Sequence, residues 1–420
     1  MRELRFFAPI SAIKSLTVPK RWSLLAFLFV YLALVRYCAY AYYGDPTSAF
    51  FDPTRGYQRS YSLERQKEVD AFVSNTSISF AADKRKREPR MCIGIATVRR
   101  EEEQYVETTV GSLLEGLTDK ERAEIYLAIL IAHTDPNDHP GYSEDWIHLA
   151  NKVYLYDVSQ ARKDELKTWE KERNFVKKGV FDYTYTLRKC LSTGAQWITM
   201  IEDDTLAVKG WYPRTIEALE RADDQHRATK ERSDWLYLRL FFTEEFLGWN
   251  VEDWPYNLLA CIGISGAVTI SLLLLRQLPC VKGISNSIIV GQALFITPAL
   301  MILYFLAGRL SMQPLHPGVY EMPKFGCCAQ GFVFSHEMAS KVIDRLEHVN
   351  EGFVDEILEA WANERSLVRW VVIPSLLQHV GGHSSKGDDF DGQAKYDRSV
   401  AEKIWNFGFE KYNVETVGYS

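Results

Sequence analysis

A chain of 420 residues has room for one large domain or two ordinary ones. Its 55 acidic residues against 49 basic ones, a net charge of −6, leave no broad cationic surface for nucleic acid. None of its seven cysteines has zinc-finger spacing, which argues against a structural zinc site.

Residues 1–21 carry Arg2, Arg5, Lys14, Lys20 and Arg21 against a single acid, Glu3, and read as a cytosolic tail. Residues 22–43 are apolar and then aromatic, enough for the roughly 20 residues that a bilayer core requires. Arg36 falls in the second half, where it can snorkel to the far interface among Tyr37, Tyr40, Tyr42 and Tyr43. Ala39-Tyr40-Ala41 also mimics a signal-peptidase site, but an uncleaved anchor with its basic end in the cytosol is the preferred reading. Residues 44–88 read as a lumenal stem. Asp45-Pro46 and Asp52-Pro53 break structure, Ser62–Val73 is a short helix, and Asn75-Thr76-Ser77 is a glycosylation sequon if lumenal.

From residue 89 the pattern becomes α/β. Met91–Thr97 is a buried strand, and Glu101–Leu117 a helix whose inner face carries Val106, Val110, Leu113, Leu114 and Leu117. The acids Glu101 to Glu103 suit its positive end. Strands follow at Ile125–Ala132 and Val153–Tyr156, then helices at Lys163–Lys178 and Asp182–Leu191. This alternation predicts a largely parallel sheet.

The run Trp197–Ile201, bounded upstream by Gly194, is a further buried strand that leads straight into Glu202-Asp203-Asp204. Open α/β sheets bind ligands at this edge. Three adjacent carboxylates repel one another, and a divalent cation relieves that repulsion. Mg²⁺ and Mn²⁺ are typically held by one or two carboxylates and the phosphates of a nucleotide. The competing reading is a solvated acidic turn. Another strand is predicted over Trp235–Phe242.

Leu258–Leu275 and Ser287–Ala307 are uncharged and long enough to span a bilayer. A buried helix pair inside a soluble core is the alternative, though neither run has a polar face. The link between them carries Arg276 and Lys282 and no acid, which assigns it to the cytosol. The upstream flank holds Glu244, Glu245, Glu252 and Asp253, with Trp249 and Trp254. Residues 44–255 and 309–420 therefore emerge on the same, lumenal side, and one domain split by a membrane hairpin at 256–308 is expected.

Beyond the hairpin, Phe332–Phe334 is a strand, Ser335 caps a helix over His336–His348, and Asp355–Trp361 starts another. Trp370–Ile373 is a last core strand. Cys92, Cys190, Cys327 and Cys328 would be lumenal, where disulfides persist, and their three possible pairings remain open.

A lumenal α/β domain with a strand-terminal Glu202-Asp203-Asp204 resembles the GT-A nucleotide-sugar glycosyltransferases. Phe353-Val354-Asp355-Glu356-Ile357-Leu358, with Pro374 to Gly381 and His383-Ser384-Ser385, is similar to the end of the N-acetylglucosaminyltransferase IV family. The tandem membrane hairpin looks like the post-GPI-attachment N-acetylgalactosaminyltransferase family. That resemblance implies a multi-pass Golgi membrane enzyme moving GalNAc from a UDP-sugar to the mannose of a GPI anchor, on GPI-anchored proteins or a glycolipid. The donor-binding part would be residues 89–255 and the acceptor side 309–420. The hairpin would hold the catalytic domain near a membrane-bound acceptor. It further implies Mn²⁺ or Mg²⁺ at Asp204 with Glu202 or Asp203, and His379 or His383 on the metal or phosphate. The nucleotide would meet Thr97, Val98, Arg99 and Arg100, and Asp355, or Glu356, would be the general base of an inverting transfer. On the residues alone, Arg99 and Arg100 also fit surface charges, Asp355 a helix-start carboxylate, and His379 a structural histidine. The rival functions are an N-glycan-branching N-acetylglucosaminyltransferase and an inactive membrane adaptor.

Overall fold

The computed structural model describes residues 18–75, 88–229, 234–278, 284–322, 326–383 and 398–412. The chain forms two units, the larger drawn from two stretches, Tyr57–Phe246 and Leu315–Ser420.

The larger unit begins with helix α1 (Tyr61–Asn75). Strand β1 (Met91–Thr97), helix α2 (Val106–Leu114), β2 (Ile125–Ile131) and β3 (Lys152–Tyr154) follow. Next come α3 (Gln160–Glu172), α4 (Phe175–Leu191), β4 (Trp197–Ile201), β5 (Thr205–Ala207), α5 (Trp211–Ala228) and β6 (Trp235–Arg239). The second stretch supplies β7 (Gly318–Glu321), β8 (Gly331–Ser335), α6 (His336–Val349), α7 (Val354–Arg365), β9 (Val368–Ile373) and β10 (Leu377–His379).

Eight strands form one sheet in the order β3-β2-β1-β4-β8-β6-β9-β7, and β5 pairs with β10 in a small second sheet. The sheet is mostly parallel, as expected, but β8 runs antiparallel between β4 and β6, and β7 antiparallel at the edge. Side chains alternate between its two faces. Met91, Ile93 and Ile95 of β1 enter one core with Val110, Trp211 and Leu219, while Cys92 enters the other with Leu187, Phe334 and Val342. Helices thus cover both faces, which is why β1 and β4 read as unbroken apolar runs rather than alternating ones.

Several boundaries differ from expectation. The helix predicted over 101–117 starts at Val106, so Glu101 to Glu103 precede it rather than sit in its first turn. The break between α3 and α4 falls at Arg173, left-handed at φ 56°, where Asn174 caps α4 by accepting the Lys177 N–H. The break expected near residue 180 is inside α4. Helix α5 was not foreseen. Residues 57–75, read as stem, join this unit: Val69 of α1 is fully buried, and a Cβ on Gly111 of α2 would meet its Cγ1 at 2.6 Å. Only a glycine lets the helices approach so closely. Disulfides join Cys92 to Cys190 and Cys327 to Cys328.

Among its described residues the smaller unit, Met1–Gly56 with Leu247–Pro314, carries three helices long and apolar enough to cross a membrane. They comprise Trp22–Ala41, the helix Trp254–Leu275, and Asn286–Leu306. The second has no buried residue, which excludes a helix pair hidden in a soluble core. Tyr31 ties the first helix to the third by donating to the Ala299 carbonyl at 3.2 Å. Asp45 Oδ2 accepts both the N–H and the hydroxyl of Ser311, at 2.8 and 2.7 Å. Lys282 and Cys280 of the link, and Thr76 and Ser77 of the sequon, lie outside the described residues.

Candidate active site

Two parallel neighbours, β1 and β4, end on the same edge of the sheet, so Val98-Arg99-Arg100 and Glu202-Asp203-Asp204 emerge side by side. The Thr109 hydroxyl on α2 lies 2.8 Å from the carbonyl oxygens of both Asp203 and Thr205 and accepts the Thr205 N–H at 3.0 Å. On the other side, the Val380 N–H donates to the Asp204 carbonyl at 2.9 Å. Gly381 packs so close that a Cβ there would meet Asp204 Oδ2 at 2.6 Å. The acidic turn is therefore fixed by its backbone from two directions.

The turn is not the solvated, self-repelling cluster that three adjacent acids suggest. Asp203 and Asp204 are each 6% exposed. Arg100 Nη2 donates to Asp203 Oδ1 at 2.5 Å and to Asp204 Oδ2 at 2.9 Å, and its Nη1 donates to the His383 carbonyl at 2.8 Å. Thr97 donates its hydroxyl to Asp203 Oδ2 at 2.7 Å and lies 3.0 Å from His139 Nε2. His379 Nε2 is 3.3 Å from Asp204 Oδ2. Burial opposes a charge on Asp204, but Arg100 and His379 outweigh it and hold its carboxyl well below the usual carboxylate range. Burial also opposes the charge on Arg100, and here the two carboxylates win and raise its pKa.

Arg100 thus proves to be a buried counter-ion, whereas Arg99 is exposed and offers its backbone N–H to His133 Nε2 at 2.8 Å. Burial first, then the charges of Lys178, His139 and Arg99, push His133 down to about 4, so its ring is a neutral acceptor near neutral pH.

A cavity of about 560 Å³ opens beside the turn. Of the residues singled out from the sequence, it brings together Val98, Arg100, Glu202, Asp203, Asp204, Asp355, Glu356 and His379. Thr97 sits beneath it as a support, while Arg99 and His383 are not in its lining. Asp355, in the first turn of α7, accepts the Cys328 N–H on Oδ2 at 2.9 Å. The Cys327–Cys328 pair that makes this contact also lines the cavity, with Cys328 left-handed at φ 87° and its carbonyl accepting from Arg239 at 3.1 Å.

Sequence reasoning missed Phe175, Gly179, Asp182 and Tyr183, four cavity residues on α4. They carry no motif, and only the 3–4-residue spacing of a helix face links them. It also missed the support from the chain's end. Gln378 exchanges hydrogen bonds of 2.9 Å with the backbone of Asn406, and Asn406 Nδ2 donates to the Phe242 carbonyl at 2.8 Å. Gln378 is thereby a brace rather than a cavity residue.

A family model described as GPI-N-acetylgalactosamine transferase PGAP4 matches residues 91–378, more than half of the chain. The chain belongs to this family. The expected resemblance to GPI GalNAc transferases is thereby borne out, and with it membership of a glycosyltransferase family. No curated protein sequence matches the chain. The family match takes in the acidic turn, the apolar helices of residues 254–306 and Asp355, and it stops one residue before His379.

The turn can be tested for a divalent cation. Among the described residues no three His, Cys, Asp or Glu side chains form a closed metal cage. Mg²⁺ and Mn²⁺ do not require one, because a nucleotide's phosphates complete their shell. Asp204 Oδ1 is buried without a hydrogen-bond partner among the described residues, and Glu202 lines the same cavity. An unpaired carboxylate oxygen of this kind suits an oxygen-seeking ion, and the residues present fit it.

Proposed function

We propose that this protein transfers N-acetylgalactosamine from a UDP-sugar to the mannose of a GPI glycan, in the Golgi membrane, with its larger unit lumenal and of GT-A type. The observation that carries the reading is the single cavity shared by Glu202, Asp203, Asp204 and Asp355 in a chain of this family. Three candidate membrane helices suit an acceptor that is itself membrane-held.

Asp204, through Oδ1, and Glu202 would hold the cation, which supplies positive charge to the departing diphosphate. Arg100 keeps Asp204 ionised and orients both Asp203 and Asp204 before any substrate arrives, so no reorganisation is needed when charge develops. Val98 walls the nucleotide side. Asp355 takes the proton of the attacking hydroxyl, and the Cys328 N–H on Oδ2 fixes its rotamer. One base and one displacement give inversion at the transferred carbon.

The test uses the full chain purified in detergent, with UDP-GalNAc and a GPI glycan ending in mannose. Transfer abolished by EDTA and restored by Mn²⁺ is expected. Activity undiminished by chelation would remove the metal, and transfer only to N-glycans would remove the acceptor.

A further inference from the structure

The face of α4 turned to the cavity carries Phe175, Gly179, Asp182 and Tyr183, spaced as one side of a helix. Asp182 is already engaged: Lys178 Nζ donates to its Oδ2 at 2.8 Å, and Tyr156 donates its hydroxyl to Oδ1 at 2.5 Å. Tyr183 is different. Its hydroxyl is buried and has no hydrogen-bond partner among the described residues. A buried polar group without a partner is destabilising, and native proteins keep few of them without a functional reason. One turn earlier, a Cβ built on Gly179 would meet nothing within 4 Å, so this face of the helix has room beside Gly179.

Three constraints narrow what fills that space. Burial above all, then the charges of Glu202 and Asp355, raise the Tyr183 pKa well above its ordinary value, so the phenol stays protonated and is neither base nor nucleophile. The diphosphate belongs on the cation that Asp204 and Glu202 would hold, and Asp355 disfavours a second anion beside the phenol, which leaves a neutral acceptor as its partner. Tyr183 also lies within electrostatic reach of both the acidic turn and the candidate base, and the transferred sugar must pass between those two groups. A bare hydroxyl would leave the room beside Gly179 empty, and Phe175 and Val354 add apolar surface to the same lining. An acetamido group supplies a carbonyl oxygen for the phenol and a methyl group for that surface.

We infer that the Gly179–Tyr183 face of α4 is the pocket for the acetamido group of the transferred sugar, with the Tyr183 hydroxyl donating to its carbonyl oxygen. This rests on the proposed UDP-sugar transfer and adds the residues that select the sugar.

Tyr183→Phe removes one oxygen and leaves the ring. The experiment compares kcat/KM for UDP-GalNAc and UDP-Gal, with UDP affinity and Tm measured on the same proteins. Loss of roughly tenfold or more of the preference for UDP-GalNAc is expected, the worth of one hydrogen bond. UDP affinity should be unchanged and Tm unchanged or raised, because no folded-state hydrogen bond is lost. Gly179→Leu, which fills the space, should impair UDP-GalNAc more than UDP-Gal. A preserved donor ratio in Tyr183→Phe overturns the inference. So does a lowered Tm with that ratio intact, which would mean a water or protein partner. A wild-type protein that prefers UDP-Gal overturns it too. A wild-type protein inert with every UDP-sugar would instead sink the proposed transfer itself.

Discussion

Replacing Arg100 by alanine removes a residue that is 7% exposed and leaves two buried carboxylates without its guanidinium, with His379 beside Asp204 alone. Losing one partner of such a pair costs about 3–5 kcal/mol, mostly as the penalty of the charge left behind. At about 2–4 °C per kcal/mol for a domain of 150–250 residues, Tm should fall on the order of 10 °C. Thermal unfolding of the full chain in detergent reads this directly. Mn²⁺ gives the same experiment a second arm. With Arg100 gone the turn is more anionic and should bind the cation more tightly, and a ligand at 100 times its Kd returns about 2.7 kcal/mol. The Tm gain on adding Mn²⁺ should therefore be larger in Arg100→Ala than in the wild type. Turnover should still fall, because Asp203 then keeps only the Thr97 hydroxyl to orient it. A variant melting within about 2 °C of wild type, with no added response to Mn²⁺, would refute the counter-ion reasoning.

Asp355→Asn should lower turnover by roughly 10²–10⁴-fold with UDP affinity intact, as loss of a general base does; near-normal turnover would leave Asp355 as a partner of the Cys328 N–H alone. Glu244 predicts a pH dependence: burial pushes its carboxyl up to about 7, although the N–H groups of Phe407 and Gly408 favour its charge. The folded chain then binds a proton that the unfolded chain, with an ordinary carboxyl near 4.5, has lost, so Glu244's contribution to stability is greatest below about pH 4.5 and falls as pH rises to about 7. Protection factors in residues 404–412, taken against the intrinsic exchange rate at each pH, should fall over that window in the wild type but not in Glu244→Ala, and protection that grows with pH would contradict the assignment. For topology, tags at residue 150 and at the carboxyl terminus should both resist protease in sealed vesicles, and digestion of the terminal tag would refute a lumenal larger unit.

How legible was this in the sequence? Strands β1, β2 and β4 were readable almost to the residue, because runs such as Met91–Thr97 are apolar on both faces and end in turn residues. The apolar helices were equally plain. Helix α5 was not, since its sequence WYPRTIEALERADDQHRA sets Trp211, Leu219 and Ala222 among ten charged or polar neighbours' worth of surface, and its inward stripe emerges only beside the sheet. Glu202-Asp203-Asp204 announced itself by composition, but its electrostatics did not. Arg100 read as a nucleotide contact or a surface charge rather than a counter-ion, because its partners lie about a hundred residues downstream and no local pattern encodes a pairing at that distance. Tyr183 was hidden for a related reason: a buried hydroxyl matters through the partners it lacks, and a sequence does not show them.

The position of β8 has a consequence for how the protein is made. This strand lies between β4 and β6, yet it is synthesised after the two apolar helices of residues 254–306. At roughly 5–20 residues per second, β4 and β6 wait several seconds beyond the ribosome with the edges that β8 will cover still unpaired. Such edges are templates for pairing with another chain. The nascent protein therefore depends on its surroundings while the next helices are being inserted, and a chaperone on the side where β4 emerges would shield it until β8 follows. Variants that delay membrane insertion should lower the yield of folded enzyme without touching a single residue of the cavity.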